Sequence, residues 1–192
     1  MAELRDLRMD RAHRRGDDLT ESARRGEAWA LTEIWHRYSP AVVGYLRGRG
    51  VEEAEDLTSE VFLQVFRRIG QFRGDEADLR TFVFSVAHAR YVDDTRRRVR
   101  RGTDTEFVVE THDRPVDSAE SQALHQIATQ RAVALIETLS PDQRDVLLLR
   151  VVADLSLEQT AQILGKKVGA VKALQHRGLA ALRPVVEAGV SR

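Results

Sequence analysis

Apolar residues recur at three- and four-residue spacing along most of this chain, and the pattern lapses once, between Val99 and Asp117. Leu57, Val61, Phe62, Val65, Phe66 and Ile69 fall on one stripe of a helix, as they must if a helix is to bury one face. Strict alternation of apolar and polar residues, the mark of a half-buried strand, is rare. The feature confines the chain to an all-α fold: two small helical domains joined by a flexible linker. A polar tail over residues 1–20 carries five arginines. A first domain follows over 21–98. The linker, with Gly102, Pro115 and many acids, spans 99–117, and a second domain spans 118–192.

Local signals set the helices. Trp29, Leu31, Ile34 and Trp35 begin the first, a break is expected near Ser39-Pro40, and Gly48 and Gly50 stop it. The next runs from about Glu52 to Ile69, with Gly70 suited to its C-cap. Another spans about Leu79 to Arg98. In the second domain, one helix carries Leu124, Ile127, Val133, Leu135, Ile136 and Leu139. Ser140-Pro141 is an N-cap followed by proline in the first helical position. The apolar run from Val146 to Val152 reads as a buried helix, and Ser156-Leu157-Glu158-Gln159 as a capping box. Gly165 closes the short helix, and a last helix runs to about Arg183, with Pro184 just beyond.

Charge is balanced overall, with 30 Lys and Arg against 30 Asp and Glu, which speaks against a free-standing, charge-driven nucleic-acid binder. Locally it is uneven. Arg96, Arg97, Arg98, Arg100 and Arg101 form a basic block, and Glu52, Glu53, Glu55, Asp56 and Glu60 an acidic one. From Lys166 to Arg183 there are five bases and no acid. Different segments are expected to face different partners. The chain has no cysteine, which removes disulfides and thiolate metal sites and fits a reducing cytosol. Neither an apolar signal core nor a run of about 18 apolar residues is present, so no membrane partner is expected.

Three constellations carry functional signal. Leu157 to Arg177 has the layout of a helix-turn-helix: small Ala161 where two helices cross, Gly165 in the turn, and Val171 and Leu174 facing back. Its outer face would present Lys172, Gln175, His176 and Arg177 to a major groove. The bland alternative is a basic helix on an ordinary bundle, and Lys167 stands where an N-capping Ser or Thr would be comfortable. On the helix from Leu79, Leu79, Phe82, Val83, Val86 and Ala89 should be core, with Arg80, Phe84, His88, Tyr91 and Thr95 opposite. Aromatics interleaved with bases suit stacking on unpaired nucleotides; alone, packing of Phe84 and Tyr91 under a neighbouring loop is the more ordinary reading. On the helix from Glu52, Asp56, Glu60, Leu63, Gln64 and Arg67 share an outer face on which an exposed Leu could dock a partner; a solvated face with a stray Leu is the alternative.

These segments together resemble one family. EEAEDLTSEVFLQVFRRIGQFRG (Glu52–Gly74) is similar to conserved region 2 of extracytoplasmic-function sigma factors, and LRTFVFSVAHARYVDDTRRR (Leu79–Arg98) to the adjoining segment that recognises and opens the −10 element. LSPDQRDVLLLRVVADLSLEQTAQILGKKVGAVKALQHRGLAALR (Leu139–Arg183) resembles region 4, which reads the −35 element. The resemblance implies a transcription initiation factor of the cytoplasm, without catalytic residues or cofactor. It implies that Asp56, Glu60, Leu63, Gln64 and Arg67 meet the clamp helices of the polymerase largest subunit. Arg80, Phe84, His88, Tyr91, Arg96 and Arg97 would face the melted −10 strand, and Lys166, Lys167, Lys172, Gln175, His176 and Arg177 the −35 duplex. The linker would thread toward the RNA exit path, region 4 would lie at the polymerase flap, and an anti-sigma factor is the usual regulator. Ser59, Phe82 and Ala89 stand where the family usually has Gln, Trp and Asn, which bears on the −10 preference.

Three rival readings remain at this level, and one of them is a plain interaction module. A stand-alone helix-turn-helix regulator accounts for Leu157–Arg183 but not for the acidic helix or the arginine block. An enzyme built on the Glu52–Glu60 carboxylates lacks a nucleophile, a metal set and a phosphate loop.

Overall fold

The computed structural model describes residues 19–101 and 138–190, with side chains for 19–100 and 138–184. Among them there are helices and turns and no strand. After a helical turn at 19–24, α1 spans Ala28–Gly48, α2 Ala54–Arg68 and α3 Glu76–Arg101. A 3-10 turn, Ile69–Gln71, links α2 toward α3. Then α4 (Pro141–Leu147) passes into a π turn (Leu148–Val152), α5 spans Leu157–Leu164 and α6 Val168–Val190. No helix among the described residues is long and apolar enough to cross a membrane.

Caps and boundaries follow largely from the local chemistry. The Ser140 side chain accepts from the Gln143 backbone N–H while Gln143 returns a bond to the Ser140 N–H; Ser156 and Gln159 do the same at α5. Each reciprocal pair satisfies two helix-end donors that would otherwise lack partners. Gly165 closes α5 at φ +61°, a left-handed conformation that costs glycine nothing.

Several boundaries differ from the sequence reading. No break occurs at Pro40, which lies inside α1. Ile34, Tyr38, Val42, Tyr45 and Leu46 form one buried stripe across it, and that packing outweighs the missing backbone bond. Gly70 needs no positive φ, because the chain continues into the 3-10 turn. Pro184 likewise falls inside α6, which reaches Val190. α3 runs three residues past the expected boundary at Arg98, to Arg101. The rest of the expected linker, and the helix expected from Leu124 to Ile136, lie outside the described residues.

The π turn was not foreseen. The Ala153 N–H bonds to the Leu148 carbonyl and the Leu155 N–H to the Leu149 carbonyl. Asp154 then takes φ +50°, a region that Asp enters more readily than most residues. The widened turn drives Leu148, Leu149, Ala153 and Leu155 inward and leaves Val151 70% exposed.

Those four residues decide the tertiary arrangement. They share one apolar cluster with Ile34, Tyr38, Val42, Tyr45 and Leu46 of α1, Val61, Phe62 and Val65 of α2, and Leu79, Val83, Phe84 and Ala87 of α3. A second, smaller cluster of Val146, Ala161 and Val171, with Leu157, Leu164 and Leu174 against it, ties α4, α5 and α6 together. The two halves are therefore packed on each other through the shared cluster. Glycine permits the approach: a Cβ on Gly48 would lie 2.5 Å from Leu148 Cδ2, and one on Gly44 would lie 3.3 Å from Val152 Cγ1.

Candidate nucleic-acid and polymerase interfaces

The α5–α6 pair has helix-turn-helix geometry. Ala161 is buried where the helices cross, against Val146 and Val171, as the small residue required there. Val171 is fully buried and Leu174 packs beside it, so α6 turns its other side outward. Lys167, Lys172, His176 and Arg177 are exposed on that side and form no ion pair among the described residues. A helix with this exposure pattern can enter a major groove and place cations against phosphates and base edges. Two predicted members are engaged elsewhere. The Lys166 ammonium pairs with Asp142 at 3.0 Å, and Gln175 Oε1 accepts from Arg150 Nε at 3.2 Å. Arg150 also donates to the Leu155 carbonyl, which fixes it between the π turn and α6.

The outer face of α2 is open. Leu63 is 56% exposed on that face. Asp56 and Arg67 beside it are exposed, and Gln64 is half-buried. Glu60 is occupied: it pairs with Arg90 of α3, and Arg97 lies 4.0 Å from the same carboxylate oxygen. Arg97 also approaches Asp94 at 3.5 Å, while Arg96 stays exposed. Arg90, Arg96, Arg97 and Arg100 lie together with Asp93, Thr95 and Val99 along the end of α3.

The remaining face of α3 is not the exposed surface the periodicity suggested. Phe84 is fully buried, edge-on to Tyr45 with ring centroids 6.0 Å apart. His88 Nδ1 and the Tyr45 hydroxyl are 2.9 Å apart. Burial, with a contribution from the Arg49 cation, lowers the His88 pKa to about 4, so the ring is neutral at pH 7. Burial likewise pushes the Tyr45 phenol well above its ordinary range. Tyr91 is half-buried, with the Arg49 guanidinium 4.0 Å from its ring centroid. Arg80 donates to the Ala153 carbonyl at 3.1 Å and lies over the Tyr38 ring at 5.5 Å. Phe84 therefore lies in the shared helical core and not on an exposed face. The expected inward side is also uneven, since Ala89 is exposed and Phe82 packs on Phe72 at the margin of the core.

Arg49 and Asp145 were missed by sequence reasoning. They pair across the two halves, with side chains only 9% and 12% exposed. Burial raises the Asp145 pKa to about 6, and Arg49 only partly opposes it. No local pattern marks either residue: Arg49 sits between two glycines in a helix stop, and Asp145 lies in an ordinary amphipathic turn.

The family model for Sigma-70 region 2 matches residues 34–101, and that for Sigma-70 region 4 matches residues 129–182. The ECF RNA polymerase sigma factor SigD of Mycobacterium tuberculosis is 34% identical over 183 residues, covering 90% of this chain and 85% of SigD. The ECF RNA polymerase sigma factor BldN of Streptomyces coelicolor is 32% identical over 168 residues, which is 86% of this chain and 63% of BldN's length. The sigma factor RpoE of Bartonella quintana, solved in complex with the anti-sigma factor NepR, shares the fold at TM-score 0.61 and 20% identity, covering 81% of this chain and 96% of that one. With both sigma regions present in order and these relatives matched along most of their length, the chain belongs to the ECF RNA polymerase sigma factors, the family that directs promoter-specific initiation of transcription.

Proposed function

We propose that this sigma factor divides its contacts among three helix faces. The outer face of α2, centred on Leu63 with Asp56, Glu60, Gln64 and Arg67, docks on the clamp helices of core polymerase. The α3 face with Arg80, Phe84, His88 and Tyr91, continued by Arg96 and Arg97, serves the −10 element. Lys166, Lys167, Lys172, Gln175, His176 and Arg177, on and just before α6, serve the −35 duplex, with this half near the polymerase flap. Within the α3 set, buried Phe84 acts as the support on which Arg80 and Tyr91 are set. Control by an anti-sigma factor, as in the solved RpoE–NepR pair, is part of the proposal. The factor works where its polymerase partner is, in the cytoplasm, and does no chemistry of its own.

The observation that carries this reading is the exposure of Leu63 amid charged neighbours on a helix whose opposite side is fully committed to the core. An apolar anchor with a charged rim is the usual design of a compact protein interface. The test is core binding by the double variant Leu63→Ala, Gln64→Ala. Affinity should fall by about 1–3 kcal/mol, with helicity and melting temperature nearly unchanged. Unaltered affinity would remove α2 from the interface. Promoter-directed run-off transcripts from core polymerase plus this chain test the whole assignment.

A further inference from the structure

We propose that Arg150 decides which base Gln175 reads: the pair shows only N–H donors to the −35 duplex, so the base under Gln175 is a guanine and Arg150 is the positioning residue for that choice. The inference rests on the assignment of α6 to the −35 element in the preceding subsection and adds the base chemistry of one of its members.

A free glutamine is the usual partner of adenine. Its carbonyl accepts from the N6 amino group while its amide nitrogen donates to N7, so the contact uses both ends of the amide. In this chain one end is taken. Gln175 Oε1 accepts from Arg150 Nε at 3.2 Å. The orientation of the amide follows from the chemistry, because a guanidinium has donors and no acceptor, and only the amide oxygen can face it. Oxygen and nitrogen lie on opposite sides of the amide carbon, so turning Oε1 inward turns Nε2 outward. Nε2 makes no bond among the described residues and is not one of the buried polar atoms that lack a partner, so it is open to solvent.

Arg150 can impose this orientation because it is itself fixed. From Nη1 it donates to the Leu155 carbonyl, just past the π turn. The π turn and Leu155 are anchored in turn, through Leu148, Leu149, Ala153 and Leu155 in the apolar cluster. On α6, Gln175 lies one turn beyond buried Val171, half-buried at the rim of the outer face and next to exposed His176. A donor-only amide at that rim suits guanine, whose major-groove edge offers O6 and N7 as two acceptors. Adenine offers one acceptor beside a donor, and that donor would find no carbonyl. Cytosine offers only a donor, and thymine one acceptor beside a methyl group. The preset geometry sharpens the choice, since Gln175 has little rotamer freedom left to lose on binding.

The test uses holoenzyme assembled from core polymerase and the full chain. Wild type first selects sites from a DNA library randomised across the −35 region, and each position of the selected site is then changed singly and its binding measured. Gln175→Leu should flatten the preference at one base pair, where wild type takes guanine, and leave the other positions unchanged. Arg150→Met frees Oε1 and should move the preference at that same base pair from guanine toward adenine, by about tenfold in the ratio of affinities. Arg150→Lys is the second variant: it keeps a donor for the Leu155 carbonyl but lacks the fork that also reaches Gln175, and it should shift the same base pair in the same direction. In the Gln175→Leu background, Arg150→Met should change no base preference.

A guanine preference that survives both Arg150 variants overturns the positioning role. A change in preference caused by Arg150→Met in the Gln175→Leu background means that Arg150 acts on DNA directly, and overturns it as well. Adenine, or no choice of base, at the position governed by Gln175 in wild type overturns the donor-only reading. If Arg150→Met proves misfolded by circular dichroism, Arg150→Lys and the Gln175→Leu profile decide. If the wild-type holoenzyme selects no −35 sequence at all, the assignment of α6 to promoter DNA has failed, a result distinct from a selected site whose preferences ignore Arg150.

Discussion

The Arg49–Asp145 pair offers the sharpest energetic test of how the two halves hold together. Both side chains are nearly out of solvent, at 9% and 12% exposure, so removing one leaves the other charged in a poorly hydrated site. A buried pair broken on one side typically costs about 3–5 kcal/mol. Asp145→Ala should fall slightly below that, at about 2–4 kcal/mol, because the Tyr91 ring still faces the Arg49 cation and such contacts are worth about 1–2 kcal/mol when desolvated. Burial has already raised the Asp145 pKa to about 6, which means desolvation outweighs the attraction of Arg49. Replacing both partners by apolar residues, Arg49→Met with Asp145→Leu, should therefore return stability to within about 1 kcal/mol of wild type. Urea unfolding of wild type, Asp145→Ala and the double variant, followed by circular dichroism, measures each quantity. A cost for Asp145→Ala below about 1 kcal/mol, the scale of an exposed pair such as Arg25–Glu21, would refute the claim that this ion pair is shielded between the halves.

Phe84→Ala should destabilise the fold by about 3–5 kcal/mol, because the ring is fully buried and the site cannot collapse easily; a loss under 1 kcal/mol in urea unfolding would return Phe84 to the surface. Two groups should give opposite pH slopes. The His88 pKa is lowered to about 4, so its contribution is complete above about 6.5 and is lost as pH falls through 4, whereas the Asp145 pKa is raised to about 6, so its contribution is complete below about 3.8 and is lost as pH rises through 6. Between pH 6 and 4 the two oppose each other, and Asp145→Asn should leave stability falling more steeply toward acid than in wild type; unchanged urea midpoints across that range would contradict it. Lys172→Ala or Arg177→Ala should each lower the salt dependence of −35 DNA binding by about one unit of slope, measured by titrating salt against holoenzyme affinity; an unchanged slope would remove that cation from the phosphate contacts.

Much of this protein was legible in its sequence because the relevant physics is local. Ser140 with Gln143 and Ser156 with Gln159 announce helix starts through bonds made within four residues. Gly165 announces a turn because only a residue without Cβ adopts its backbone cheaply. The stripe from Leu57 to Ile69 predicts which side of α2 is buried, and it leaves Leu63 outside, as observed. The motif order identified the family for the same reason: each motif is a short run with its own periodicity and charge.

What the tertiary structure alone decided is which faces remain free. Periodicity puts Phe84, His88 and Tyr91 opposite Leu79 and Val83, and a helix with a second element packed on that side buries both stripes. Nothing local to α3 reports that Leu148 and Leu149 lie in the same core, because those residues stand more than forty positions beyond its end. Gly48 reads as a helix stop, yet its lack of a side chain is also what lets Leu148 approach. Pro40 reads as a break, yet α1 continues through it because burial on both sides of the proline outweighs one lost bond. The sequence determines helices and their apolar stripes through interactions a few residues long. The pairing of one stripe with another depends on shape and burial across the whole chain, and only the folded arrangement shows that Arg49 meets Asp145 over the ring of Tyr91.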